Sequence, residues 1–293
     1  MLQYIIRRVL WTIPVLWLVA TVTFFLMHAA PGSPWDAKST GGRQLDPALE
    51  ESFNRQYGLD EPLFVQYATY LKNAVMLDFG ESYTKRGQTV AEIIGRGFPY
   101  SAKIGVIALI LALGIGIPVG IYAAIRRGSA VDYSLTIFSY LGLALPNFLL
   151  ALILLYFANS WFGADIGGLF STRYADAPWS LAKVWDLIKH LWLPAVVLAW
   201  SAVAYQIQTM RATMSDELNR LSVTAARARG VPETKLLLKY PARLAINPIV
   251  STIGFDVNRI FSELPIVAAV LGLTELGELL LRAYLDLDMY VAG

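Results

Sequence analysis

The chain has 293 residues, 56% of them apolar and 16% charged, with a formal net charge of +2 and no cysteine. Soluble domains carry about 25% charged residues, so this balance argues against an ordinary soluble enzyme, and the missing cysteine excludes disulfides, thiolate catalysis and Cys-based metal sites. Charge placement is more telling than net charge: residues 9–35, 104–125, 133–164 and 191–210 contain no Asp, Glu, Lys or Arg, and apolar windows of about 20 residues mark an integral membrane protein.

In chain order, the first span covers residues 9–27, behind Arg7 and Arg8. Its apolar run exceeds the roughly 7–15 residues of a signal-peptide core, so it reads as a retained helix. Residues 30–101 follow as an external segment in which Phe53, Tyr57, Leu59, Leu63, Phe64, Tyr67, Tyr70 and Leu71 recur, predicting a small helical subdomain at the membrane surface. The second span, residues 102–125, carries Gly105, Gly114, Gly116 and Gly120 at spacings that admit a close helix neighbour, and Pro118 as a kink.

The third span runs over residues 135–158 and is interrupted at Pro146-Asn147. A second external loop, residues 159–190, mixes Gly163, Gly167, Gly168 and Pro178 with Trp161, Trp179 and Trp185, and those tryptophans suit interfacial anchoring. The fourth span, residues 191–210, holds Pro194, which neighbouring helices must accommodate. A fifth is placed at residues 245–264, although Asp256, Arg259 and Glu263 fall inside it. Ionisable groups at that depth must turn toward protein or a wet cavity. Five spans that start inside leave the C-terminus outside on a polar stretch, residues 282–293, so a further span is expected to follow in the natural protein.

Orientation comes from the basic residues of the connections. Arg7 and Arg8, then Arg126 and Arg127, then Arg211, Arg220, Arg227, Arg229, Lys235, Lys239 and Arg243 fall on one side if the spans alternate, and that side is the cytoplasm. The N-terminus is therefore expected inside. The basic residues read as topology determinants, and no nucleic-acid partner is implied.

The loop at residues 211–246 has the most distinctive local pattern. Residues 216–229 are rich in helix formers, Gly230 suits a left-handed helix end, Pro232 can open a new helix, and Glu233 sits well near that helix's N-terminus. Two short helices are expected to meet at a sharp turn. Thr224-Ala225-Ala226-Arg227-Ala228-Arg229-Gly230-Val231-Pro232-Glu233 then offers small side chains for close contact with a partner groove and arginines for charge-assisted hydrogen bonds. The plainer reading is a solvated basic loop placed there by topology.

Ala225-Ala226-x-x-x-Gly230 resembles the Glu-Ala-Ala loop of binding-protein-dependent ABC importer permeases. The run Ala226–Gly230, with Arg243 and Pro248 beyond it, is similar to the version in the dipeptide, oligopeptide and nickel branch. Other matches follow in the same order: Arg7-Arg8 with Pro14, Pro31-Gly32-Ser33-Pro34, Tyr57-Gly58-Leu59-Asp60-Glu61-Pro62 and Asp78-Phe79-Gly80-Glu81-Ser82. Gly116-Ile117-Pro118-Val119-Gly120, Arg126-Arg127-Gly128, Leu145-Pro146-Asn147-Phe148 and Leu193-Pro194-Ala195 extend the resemblance over nearly the whole chain. Thr224 departs from the family's Glu, and Ser33 from the Asp of its Pro-Gly-Asp-Pro exit.

The resemblance implies an all-α, polytopic type I ABC importer transmembrane domain with five of six spans present. Its parts would be an N-terminal helix at 1–29, an external helical segment at 30–101 and a core permease domain at 102–293 containing the coupling loop 211–246. It further implies a pore half for peptides in a bacterial or archaeal plasma membrane that pairs with a second, non-identical permease, docks two cytoplasmic ATPases through residues 224–233 and receives substrate from an external binding protein. ATP and Mg would be held by those partners, with no cofactor on this chain and no catalysis by it. No Gly-x-x-x-x-Gly-Lys-Ser/Thr segment occurs in the sequence, consistent with that division of labour.

Asp256, Arg259 and Glu263 are spaced i, i+3 and i+7, which puts them in one acid-base-acid column on a helix. That column either lines the substrate path and meets the polar ends of a peptide-like substrate or locks the span to a neighbour as an ion-pair ladder. Asn147 beside Pro146 is a second pathway candidate, or else repairs the broken backbone. A secondary transporter of a small polar solute is the rival class; it predicts inverted repeats, and no convincing repeat is present. A membrane-embedded metalloenzyme would need clustered ligands that His28 and His190 do not supply.

Overall fold

The computed structural model describes residues 2–31, 47–83, 87–162, 168, 170–174, 177–273, 276–286 and 288–292. Gly32, Ser33 and Pro34 of the expected exit motif, and Gly163 and Gly167 of the second loop, lie outside them. The described elements are helical, joined by one isolated antiparallel bridge between Glu81 and Thr89. The chain divides into two compact units, Met1–Gly97 with Leu279–Gly293, and Phe98–Glu278.

In the first unit, α1 (Leu2–Ala29) leaves its early turns open to the surroundings and buries Phe24 near its end. Phe24 joins Phe53, Tyr70 and Tyr83 in an aromatic core together with α2 (Pro47–Tyr57) and α3 (Leu63–Val75). The α2–α3 turn needs Gly58 at φ +66 and is closed by the Leu59 amide on the Asn54 carbonyl at 2.9 Å. Gln66 Nε2 then donates to the Leu59 and Glu61 carbonyls, while Thr21 and Tyr67 hydroxyls meet at 2.6 Å. The expected aromatic periodicity thus marks a real core, except that Leu63 and Phe64 remain exposed. Ser82 donates to Asp288 at 2.6 Å, tying the segment before α13 (Met289–Ala292) into this unit.

The second unit is built around α7 (Leu181–Leu218), a 38-residue helix about 57 Å long. α4 (Val90–Ile125), α5 (Ala130–Ala144), α6 (Asn147–Phe162) and α11 (Asn247–Val270) belong wholly or in their later turns to this unit, and α5, α6 and α11 pack on α7. The glycines of α4 explain how close that helix comes. A Cβ at Gly116 would lie 2.5 Å from the Gln206 Cβ, and one at Gly120 would lie 2.6 Å from the Met210 Cβ and 2.8 Å from the Ile207 carbonyl oxygen. Gly105 faces Phe261, whereas Gly114 meets nothing within 4 Å, so the expected packing role holds for three of those glycines and fails for Gly114.

The break at Pro146 is sharper than the kinked single span expected from the sequence. α5 and α6 diverge by 103°. Leu145 leaves the helix at φ −84 and ψ 120, the extended conformation that a following proline ring imposes, and α6 restarts with the Leu149 and Leu150 amides on the Pro146 carbonyl. By length and composition α1, α4 and α7 can each cross a membrane, and α5 with α6 adds a fourth if the bent pair is one span. α11 has 24 residues, about 36 Å, and carries the predicted charges.

Trp179 and Trp185 are exposed, as anchoring requires, but Trp179 also borders a cation site: Lys183 Nζ lies 4.7 Å from the Phe170 ring centroid and 5.4 Å from that of Trp179. Ser171 donates its amide and hydroxyl to Asp186 at 2.8 and 2.5 Å, fastening the loop to the start of α7.

Candidate functional site

The first candidate is the turn between α8 (Leu221–Ala228) and α9 (Glu233–Lys239). The helix-forming composition of residues 216–229 favoured one helix there. The structure instead continues α7 to Leu218, breaks, and starts α8 at Leu221. Asn219 causes the break: its Nδ2 donates to the Ser215 carbonyl at 3.0 Å, and Arg220 swings to φ −72, ψ 145. Gly230 takes φ +76, the left-handed conformation expected of it. Pro232 caps α9 with φ −56 and ψ 135 and stands just ahead of its first turn.

The two alanines of the turn have opposite fates. Ala226 is fully buried with Val223 and Leu236, holding α8 against α9, while Ala225 and Thr224 face outward. Arg227 and Glu233 form a two-pronged ion pair, Nε to Oε2 at 3.1 Å and Nη2 to Oε1 at 2.6 Å. Those hydrogen bonds hold the exposed Glu233 carboxyl below its ordinary value and raise the Arg227 guanidinium. Arg227, expected to reach for a partner, is thus already engaged in closing its own turn. Arg229 donates to the Ala225 carbonyl at 3.2 Å, and Ala228, Arg229, Gly230 and Pro232 remain exposed around a half-buried Val231.

The turn is rooted in the helix core. α10 (Pro241–Ala245) and the start of α11 pack on α7 through Met210, Met214, Ala242, Ala245 and Ile249, and Thr213 Oγ1 donates to the Ala245 carbonyl at 3.0 Å. Asp132 and Arg211 form a second two-pronged pair at the same end of α7. Neither of those residues stood out in the sequence as a pair, since 79 positions separate them.

The second candidate is a polar network joining α6, α7 and α11. Asp256 is 2% exposed, receives Gln206 Nε2 at 2.5 Å on one oxygen, and pairs with Arg259 Nη2 at 3.2 Å on the other. The Arg259 guanidinium lies over the Tyr205 ring at 5.3 Å. Glu263 accepts a hydrogen bond from Asn147 Nδ2, which also reaches Ser201 Oγ at 3.3 Å. The predicted column therefore exists as two linked contacts: Asp256 with Arg259, and Glu263 with the broken end of α6. Gln206, Tyr205 and Ser201 were missed. The signal was available in the polar Tyr205-Gln206 step within a charge-free span.

Burial separates the roles within this network. Asp256, Asn147 and Gln206 are enclosed, whereas the Arg259 side chain keeps 31% of its surface open. Its Nε, however, is buried and unbonded. Arg259 is thus the more open member of its pair with the enclosed Asp256.

Comparison with known proteins agrees with this architecture. Residues 116–291 match the family model described as the binding-protein-dependent transport system inner membrane component, and residues 1–113 match the N-terminal model of the same kind of component. The oligopeptide transport system permease protein AppB of Bacillus subtilis is 34% identical over 295 residues, covering 98% of this chain and 89% of its own length. Oligopeptide permease OppB of Salmonella typhimurium is 31% identical over 289 residues with the same coverage. Dipeptide permease DppB of Bacillus subtilis is 29% identical over 278 residues, covering 95% of this chain and 84% of its own length.

Proposed function

Because the chain belongs to the family of inner membrane components of binding-protein-dependent transport systems, we propose that it forms half of the pore of an ATP-driven peptide importer. The observation that carries this reading is the α8–Gly230–α9 turn: a compact, two-helix projection clipped by Arg227 and Glu233 and rooted on α7 and α11. Its outward rim, Thr224, Ala225, Ala228, Arg229 and Pro232, suits a groove on a cytoplasmic ATPase. The N-terminus is then cytoplasmic, since Arg7, Arg8 and the basic residues of the turn share that side.

In this reading the chain hydrolyses nothing. Two partner ATPases bind ATP and Mg, a second permease completes the pore, and an external binding protein delivers the peptide. When the ATPases close, they displace the α8–α9 turn as one piece, because Ala226 and Leu236 are fully buried between its helices. The displacement passes along α7, which is continuous from Leu181 to Leu218 through the membrane, and along α11 through its packing with α10. Asp256 serves as the positioning residue for Arg259, which meets the polar main chain or terminal carboxylate of the peptide, while Glu263 and Asn147 hold the start of α6 to α11.

The test is reconstitution of the chain with its co-encoded permease, ATPases and binding protein in proteoliposomes, followed by uptake of radiolabelled trialanine. Uptake that requires ATP and the binding protein is expected. Uptake driven by an ion gradient without ATP would instead support the secondary-transporter reading.

A further inference from the structure

The face that α11 turns away from its neighbours differs from the open faces of the other long helices. α11 buries Ile249, Asp256, Ile260, Leu264 and Val267. On its opposite side Ser251, Asn258 and Ser262 are exposed, with Gly254 and Phe255 between them. The spacing i, i+7 and i+11 places the three polar residues on one stripe. The open faces of α1 and α4 carry Ile, Val, Leu and Trp or Tyr instead, for example Val15 and Leu16 on α1 and Val106 and Ile110 on α4. Those surfaces suit acyl chains. The α11 stripe differs in its three polar residues, which stand among the exposed Val250, Phe255 and Ile266.

Depth makes the contrast sharper. Asn258 lies about 17 Å along a helix of about 36 Å, close to its middle, which is mid-membrane when α11 crosses as the expected fifth span. Its side-chain amide has no hydrogen-bond partner among the described residues, and such a group in hydrocarbon is strongly disfavoured. Ser251 and Ser262 satisfy their hydroxyl protons on the Asn247 and Asn258 carbonyls at 2.9 and 2.8 Å, leaving their oxygen lone pairs outward. Arg259, one position on from Asn258, keeps 31% of its side-chain surface open, while its counter-ion Asp256 is enclosed.

We infer that Ser251, Asn258 and Ser262, with Phe255, form the wetted wall of the translocation path, and that this wall handles peptides through their main-chain amides. This rests on the importer reading above and names the surface that reading requires. The wall presents a side-chain amide that both donates and accepts, hydroxyl oxygens that accept, and one aromatic ring. It carries no exposed carboxylate along the Ser251–Ser262 line. Such a surface bonds the part that all peptides share and leaves their side chains unselected.

The absence of cysteine from the chain makes the test direct. Ser251→Cys, Asn258→Cys and Ser262→Cys are made singly in the assembled importer, with Val15→Cys as a lipid-facing control, Arg220→Cys as a labelling control and the unsubstituted chain as background. A charged, membrane-impermeant methanethiosulfonate is expected to label the three stripe positions at least tenfold faster than Val15→Cys, and modification of Asn258→Cys should reduce trialanine uptake at least fivefold. If Arg220→Cys labels and the complexes transport, but the stripe positions label no faster than Val15→Cys, the face is sealed against another helix and the inference is wrong. Labelling without loss of uptake also overturns it. Failure of the importer reading itself is separable, because the unsubstituted complex would then show no ATP-dependent uptake.

Discussion

Arg211 grips Asp132 with both edges of its guanidinium, Nε to Oδ1 at 2.5 Å and Nη2 to Oδ2 at 2.9 Å. Asp132 Oδ2 also accepts the Gly128 amide at 2.9 Å, so one carboxylate ties the α4–α5 turn to the end of α7 from which the α8–α9 turn is reached. Its side chain is 2% exposed and that of Arg211 27%. Removing one partner from a buried pair costs about 3–5 kcal/mol, and the open side of Arg211 favours the low end. Asp132→Asn and Arg211→Gln should each lower the melting temperature of the purified complex, and the double variant should lose less than the two singles combined. Additive losses would show that the pair is not coupled.

Gly120 and Gly114 predict opposite outcomes for the same substitution. An alanine at Gly120 would press on the Ile207 carbonyl and the Met210 Cβ, costing roughly 1–3 kcal/mol by overpacking, whereas Gly114 has open space. Gly114→Ala should be neutral or stabilising by up to about 1 kcal/mol through helix propensity. Thermal denaturation in detergent separates the two, and equal shifts would refute the close α4–α7 approach.

Ala225→Glu and Ala226→Glu test the division of the turn into a surface and a core. Ala225→Glu should leave the α8–α9 turn folded but reduce ATPase coupling at least tenfold, because it faces outward. Ala226→Glu should unfold the turn, because it places a carboxylate against Val223 and Leu236. Limited proteolysis reports folding, and ATPase activity stimulated by binding protein reports coupling. Unimpaired coupling in Ala225→Glu would remove that residue from the docking rim.

The Arg227–Glu233 clip predicts a pH dependence of local order. The Glu233 carboxyl is held below its ordinary value of 4.5, so its contribution is fully present above that value and is lost as the pH falls through the lower, folded value. Hydrogen exchange of the α8–α9 amides should therefore be unchanged by this group from pH 7 to 5, after correction for intrinsic rates, and should accelerate only in more acidic buffer. Glu233→Gln should abolish the acid step. A step centred near neutrality would point to another group.

Arg259→Gln should leave assembly intact and lower trialanine uptake about tenfold, with partial rescue by Arg259→Lys. Gln206→Leu should mainly destabilise, because it strips a hydrogen bond from an enclosed carboxylate. Normal uptake by an assembled Arg259→Gln complex would leave the Asp256–Arg259 pair as a purely structural ladder.

Membrane residence, the break at Pro146 and the turn at Gly230 were legible in the sequence because each depends on local chemistry: runs without charge, a ring that blocks helical backbone, and a residue free to adopt positive φ. The helix-period column Asp256–Arg259–Glu263 was legible for the same reason, since i, i+3 and i+7 share a face wherever the helix sits. The helix end at Leu218 was not. It depends on Asn219 folding back on Ser215, a choice that nearby helix-forming residues obscure.

What the sequence determined by itself was that α11 carries charge and amides into a membrane-length helix. Tertiary packing alone decided which of them are enclosed. Rotation of α11 against α6 and α7 buries Asp256 on Gln206, delivers Glu263 to Asn147 and leaves Asn258 open, and that rotation is set by Ile249, Ile260 and Leu264 seeking apolar contact. Periodicity states which residues share a face, but only the neighbours decide where each face looks.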